Sequence, residues 1–145
     1  MELSDLYSER ILEIAGNQPV PGRLASPHGT ARKVSRVCGS RIEVDIALQD
    51  GVISGYGHEI SACALGQTSA AIVATHIVGT PVEEFRSLHQ QMAQMLAGQG
   101  APPGGRWSDL RFLEPVRDYR ARHASTLLVF EAVEAALRQA EGNPA

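Results

Sequence analysis

Two cysteines stand in this 145-residue chain, Cys38 in Val37-Cys38-Gly39-Ser40 and Cys63 in Ser61-Ala62-Cys63-Ala64-Leu65-Gly66, each among small neighbours. Small neighbours leave a thiol accessible. A helix starting just after Cys63 would favour its thiolate, the form that binds metal or accepts sulfur. Each cysteine falls where a strand-rich segment should meet a loop or a helix start, so the two can converge into a paired-thiol site. The alternative is two buried, inert cysteines, since a free Cys is often simply a small core residue.

The elements that must position these thiols follow from the hydrophobic pattern. From Ser4 to about Ala15, Leu6, Tyr7, Ile11, Ile14 and Ala15 recur at helical spacing, and Gly16-Asn17 with Pro19 and Pro21 ends the pattern. Gly22 to Val37 reads as extended chain or an edge strand leading to Cys38. From Arg41 to Leu48, Ile42, Val44, Ile46 and Leu48 alternate with Arg41, Glu43, Asp45 and Ala47, the period of a half-buried strand. Asp50-Gly51 supplies a tight hairpin turn, and Val52 to Ile60 returns antiparallel.

Beyond the hairpin the pattern turns helical. Leu65, Ile72, Val73, His76 and Ile77 form a buried stripe among helix-favouring alanines, with a stop at Gly79. Thr80-Pro81-Val82-Glu83 reads as a capping box with Pro at the first helical position. The helix it opens turns Phe85, Leu88, Met92, Met95 and Leu96 inward and closes at Gly98. Gln99 to Trp107 reads as an exposed Pro/Gly linking loop, in which Trp107 either anchors the loop or meets a partner. Ser108 or Asp109 caps a short turn through Leu113 that Pro115 breaks. A last helix runs from about Arg120 to Ala140, with His123 and Ala124 in its first turn. Strands early and helices late, without βαβ alternation, define an α+β domain: a small antiparallel sheet with helices packed on one face. Residues 1–145 form a single domain.

Composition narrows the partners. The net charge of −3 with mixed signs offers no basic face of nucleic-acid type. The acidic opening Met1-Glu2-Leu3-Ser4-Asp5 has no apolar core, and no apolar run approaches the roughly 20 residues that span a bilayer. A cytoplasmic protein with reduced thiols, bound to neither nucleic acid nor membrane, is the expectation. Among the other histidines, His58 in alternation with Tyr56 and Ile60 reads as packed or surface, His76 as a satisfied core residue, and His28 and His89 as surface positions. Met92 and Met95 fit core packing. No Ser/His/Asp nucleophile arrangement is legible.

Several segments in order resemble the U-type iron-sulfur cluster scaffold family, comprising IscU, SufU and the N-terminal domain of NifU, over nearly the whole chain. Leu6-Tyr7-Ser8-Glu9-Arg10-Ile11-Leu12 looks like the family's first helix, and Asn17 to Gly22 is similar to its Asn/Pro/Gly segment. Cys38-Gly39-Ser40, the strand with Asp45 and the Asp50-Gly51 turn resemble its Cys-Gly-Asp loop and hairpin. Cys63-Ala64-Leu65-Gly66-Gln67-Thr68-Ser69-Ala70 resembles its second cysteine motif, and Arg122-His123-Ala124-Ser125-Thr126-Leu127-Leu128 its third. Where the family has an Asp this chain has Ser40, and where it usually has a third Cys this chain has Ala124. Tyr119-Arg120-Ala121-Arg122 stands in place of the Leu-Pro-Pro-Val-Lys chaperone motif of the IscU branch. The long connection before the third motif is SufU-like, whereas His123 is IscU-like.

The resemblance implies an iron-sulfur cluster assembly scaffold or carrier that is not an enzyme. It would hold iron, a cluster or zinc through Cys38, Cys63 and His123, with Ser40 and Ala124 as substituted site positions. It further implies a cysteine desulfurase as sulfur donor, apo iron-sulfur proteins as recipients, and a homodimer as one way to complete the ligand set. Two alternatives follow from the missing Asp and Cys: a degenerate interaction module that docks on a desulfurase without metal, and a zinc-dependent sulfur acceptor.

Overall fold

A computed structural model describes residues 8–17, 19, 22–36 and 39–142. Within them the order is α1 (Glu9–Gly16), β1 (Gly29–Val34), β2 (Arg41–Gln49), β3 (Val52–Ser61), α2 (Ala64–His76), α3 (Val82–Leu96), 3-10 segments at Gly105–Asp118 and Arg120–Arg122, and α4 (His123–Ala140). The three strands form one antiparallel sheet in the order β1-β2-β3. The α+β expectation holds, and the segment before Cys38 supplies the edge strand β1. Gln49 pairs with Val52 across a two-residue turn in which Asp50 (φ 54°) and Gly51 (φ 77°) are both left-handed, as the tightest hairpins require.

Alternation along β2 sorts its side chains onto two faces. Ile42, Val44 and Ile46 are buried on the helix-facing side, where Val44 opposes His58 and Ile46 opposes Tyr56. The helix α4 packs on β1 and β2; α2 is wedged among α1, α4, β3 and the longer 3-10 segment. Helix α2 is buried nearly all round, from Leu65 through Val73, which explains why its sequence is apolar and small rather than amphipathic.

The opposite face of the sheet is covered in part as well, by the chain that follows Gly22. Asp45 points there and is 1% exposed. It accepts from Arg23 Nε at 2.6 Å and Nη2 at 2.9 Å, from the Leu24 N–H at 3.0 Å and from the Thr30 hydroxyl at 2.8 Å. The bonded Arg23 guanidinium holds the Asp45 carboxyl below the usual carboxylate range, against the opposing effect of burial. Gly57, the partner of Asp45 on β3, leaves room for this strap: a Cβ there would lie 2.3 Å from the Gly22 carbonyl oxygen.

Four expectations need correction. Helix α1 begins at Glu9, not near Ser4, because Ser8 is its N-cap and accepts from the Ile11 N–H at 3.2 Å; Leu6 and Tyr7 lie outside the described residues. The capping box at Thr80 is not formed: the buried Thr80 hydroxyl turns back to the His76 carbonyl at 3.3 Å. Residues 79–82 instead pair with the start of β3, through Ile53 N–H to Thr80 O and Val82 N–H to Gly51 O, leaving Pro81 as N-cap. The 99–107 stretch is not simply an exposed linker, since Trp107 is 5% exposed and its ring meets the edges of His76 and Phe85. Trp107 is thus the loop's anchor. Finally, Pro115 does not break the following turn; it sits inside a 3-10 run from Gly105 to Asp118. Trp107, Leu110, Leu113 and Val116 are all buried in that run, and their spacing of three matches the 3-10 repeat.

Candidate functional site

Cys63 is the N-cap of α2, with extended backbone (φ −67°, ψ 171°), and its carbonyl accepts the first helical bond from Gln67 at 2.9 Å. The free thiol is half-buried. It stands at the N-terminus of a 13-residue helix. Two hydroxyls close around it. Ser40 Oγ accepts from the Cys63 N–H at 3.4 Å, and Cys63 Sγ lies 3.5 Å from Ser125 Oγ.

Each neighbour is brought in by a separate element. Ser40 begins the entry into β2 and is 2% exposed, its carbonyl accepting from the Ser35 N–H at 2.7 Å across the turn that joins β1 to β2. Ser125 lies in the first turn of α4 and is 1% exposed; its hydroxyl reaches the Arg122 carbonyl at 3.3 Å. The approach of α4 to α2 depends on Gly66, where a Cβ would stand 3.2 Å from the Ser125 carbonyl oxygen and 3.0 Å from Ala62 Cβ. A larger side chain would push the Ser125 turn away from Cys63.

The remaining sequence-derived positions sort as follows. Ala124 is exposed and precedes the buried Ser125 in the first turn of α4. His123 is half-buried, and its Nε2 lies 2.9 Å from the Val116 carbonyl oxygen and 3.2 Å from that of Arg117. A carbonyl can only accept, so Nε2 carries the proton and Nδ1 of the neutral ring keeps the lone pair; metal-ligating histidines are oriented by this kind of outer bond. Cys38 lies outside the described residues, between Arg36 and Gly39. Among the described residues no group of three or more His, Cys, Asp or Glu side chains could hold a metal ion. A three-donor site of this kind would have to draw on donors beyond the described residues, Cys38 among them.

Sequence reasoning missed Ser125, although it lies next to the Ala124 position that drew attention. It also missed the partner of His58: the ring is 5% exposed and its Nδ1 lies 2.9 Å from the Tyr56 hydroxyl. Burial pushes His58 down to about 4, and burial also raises Tyr56 above its ordinary range, so both stay neutral. His28 is at the surface, as expected, with Nδ1 accepting from the Leu48 N–H at 2.8 Å. His89 is not a plain surface residue: it is half-buried, pairs with Glu134 at 2.8 Å and stacks on Phe130. His76 is likewise half-buried, edge-on to Trp107.

A small antiparallel sheet backed by helices presents a thiol at a helix N-terminus between two serine hydroxyls. No family model matches the chain, but individual relatives do. The crystal structure of a nitrogen-fixing NifU-like protein (N-terminal) from Brucella abortus is 45% identical, with 97% of each chain covered and a TM-score of 0.93. The iron-sulfur cluster assembly scaffold protein IscU of Thermotoga maritima is 26% identical over 92% of this chain and 94% of its own length. The zinc-dependent sulfurtransferase SufU of Bacillus subtilis is 24% identical over 72% of this chain and 71% of its own. The chain belongs to the U-type iron-sulfur cluster assembly scaffold family, on the NifU-like N-terminal domain.

Proposed function

We propose that this protein is an iron-sulfur cluster assembly scaffold that gathers iron and sulfur around Cys38, Cys63 and His123 and passes the cluster to apo iron-sulfur proteins. The observation that carries the reading is Cys63, a half-buried thiol at a helix N-terminus, in a chain 45% identical to a NifU-like domain. In the sequence Cys38 stands two residues before Ser40, whose hydroxyl touches the Cys63 backbone. His123 Nδ1 supplies a third donor. Clusters favour four thiolates, and the neutral hydroxyl of Ser40 is a poor substitute. With Ala124 where a third cysteine would stand, one chain offers an incomplete set, and an outside thiol or a second copy completes it. Such a hold is weak enough to release its cargo.

Sulfur comes from a cysteine desulfurase in the cytoplasm. The Cys63 thiolate attacks the outer sulfur of the donor's persulfide. A new S–S bond forms on Cys63, the donor's S–S bond breaks, and the donor cysteine leaves as a thiolate. A second reading, favoured by the name of the Bacillus subtilis relative, is a zinc-dependent sulfur acceptor. Zinc is content with Cys38, Cys63, His123 and one outside ligand.

The test is cluster hand-off. Under anaerobic conditions the chain is mixed with ferrous iron, cysteine and a cysteine desulfurase, and then with an apo ferredoxin. The expected result is a visible charge-transfer absorption on the chain that moves to the ferredoxin faster than the same mixture assembles clusters without the chain. A persulfide on Cys63 with bound zinc and no cluster would establish the sulfur-acceptor reading instead. Neither product would leave a metal-free interaction module.

A further inference from the structure

On one side the sheet ends in β1, which among the described strands pairs with β2 alone. Backbone groups of an antiparallel strand alternate, one residue bonding its neighbour and the next pointing away. Both ends of β1 fix that phase. The Ser35 N–H reaches the Ser40 carbonyl on the β2 side at 2.7 Å, whereas the Thr30 N–H turns the other way, to Gln139 Oε1 of α4 at 2.6 Å. Arg32 and Val34 share the phase of Thr30, so their N–H and C=O groups face away from β2. Helix α4 closes over Gly29 at the start of the strand, but Arg32, Lys33 and Val34 are exposed, Val34 at 53%. The second half of β1 is therefore an open edge.

Charge along that edge has one sign in excess. On the helix side Lys33, Glu131, Ala135 and Arg138 border a hollow of about 290 Å³. A second carboxylate there, Glu134, is already held by His89 at 2.8 Å and by Arg86 at 3.6 Å. On the outer face Arg32 stands across the ladder from Glu43, which is held by Arg23 at 3.1 Å. Among the described residues, no ion pair engages Arg32, Lys33 or Arg138, against one unpaired carboxylate, that of Glu131.

We infer that the β1 edge takes an extended acidic segment of a partner protein as a fourth strand. The segment bonds the outward backbone groups of Arg32 and Val34 and seats a side chain in the hollow beside Lys33 and Arg138. In strand addition the main-chain bonds supply affinity and the flanking hollows supply selectivity. A second copy of this chain is the poorer occupant, because pairing β1 with itself sets Arg32 and Lys33 against like charges. Cationic side chains on an edge guard it against chance pairing; an acidic strand is the one class that this guard attracts.

The test is amide hydrogen exchange of the full chain, read residue by residue by NMR, with blocked peptides of the sequence Glu-Val-Glu-Val-Glu-Val and Lys-Val-Lys-Val-Lys-Val. A fully N-methylated form of the acidic peptide, which cannot donate main-chain bonds, is run beside them. The expected result is exchange at Arg32 and Val34 slowed about tenfold by the acidic peptide, and by neither of the others. A variant carrying Arg32→Gln, Lys33→Gln and Arg138→Gln, all at exposed positions, should keep the parent's melting temperature and bind the acidic peptide about tenfold more weakly. No slowing at Arg32 and Val34 would overturn the fourth strand and leave a guarded edge only. Equal slowing by the lysine peptide, or undiminished binding by the variant, would overturn the acidic class of the occupant. Slowing that grows with the concentration of the chain alone would overturn it in favour of a second copy.

Discussion

Where α3 meets α4, Phe85 stacks on Phe130, Trp107 meets Phe85 edge-on, and Arg86 is shared among Glu83, Glu134 and Glu141 while His89 takes Glu134. Around Cys63, by contrast, the thiol has one long contact to a hydroxyl and Ala124 leaves a small exposed surface. The first region satisfies its polar groups internally and ties helices together. The second presents a free, half-buried thiol. Stability and chemistry are thereby placed in different parts of one small fold, and substitutions in the two regions should have different signatures.

The largest effect on stability belongs to the aromatic region. Phe85→Ala removes a fully buried ring that touches both Trp107 and Phe130, and it should cost about 3 to 5 kcal/mol in a denaturant melt. Cys63→Ser should leave the same melt nearly unchanged. If the cysteine variant were the less stable of the two, the division of labour would be wrong.

Acid should act on the sheet rather than on the thiol end. His58 is held near 4, below its ordinary 6.5, so the unfolded chain takes up the proton first. Its contribution is intact above pH 6.5 and is lost progressively as pH falls toward 4, on the order of 3 kcal/mol in all. The lowered value of Asp45 acts in the same direction at lower pH: its contribution is present above the ordinary carboxylate value and is lost as pH falls below that toward the lowered one. Thermal melts from pH 7 to 4 should show this fall, and His58→Gln should flatten its upper part. A fall of the same size in the His58→Gln variant would remove His58 from the account.

Much of this arrangement was legible in the sequence, and the remainder was not for identifiable reasons. Strand β2 showed itself because one face is apolar and the other polar, and the hairpin because Asp50-Gly51 suits left-handed backbone. Cys63 at a helix start could be read from the small residues that follow it. The Asp45 to Arg23 tie could not, since nothing local in a strand announces which distant guanidinium will cross its outer face. The 3-10 run was hidden by looking for a 3.6-residue period, although Trp107, Leu110, Leu113 and Val116 repeat every three. Ser125 was invisible because a serine in a first helical turn reads as ordinary polar filling until Gly66 lets α2 come close.

The smallest of the effects sharpens the comparison at the thiol itself. Ser125→Ala removes the hydroxyl 3.5 Å from Cys63 Sγ. It should change stability by about 1 kcal/mol or less while altering the rate of Cys63 alkylation several-fold. An unchanged alkylation rate would make the contact mere packing.

The most direct test of the central claim is the iron, zinc and acid-labile sulfide content per protomer of the chain purified anaerobically, set beside a variant carrying Cys38→Ser and Cys63→Ser. The account predicts iron and sulfide together in the parent, and neither in a variant that melts at nearly the same temperature. Iron and sulfide retained by the variant, or absent from the parent as well, would contradict it.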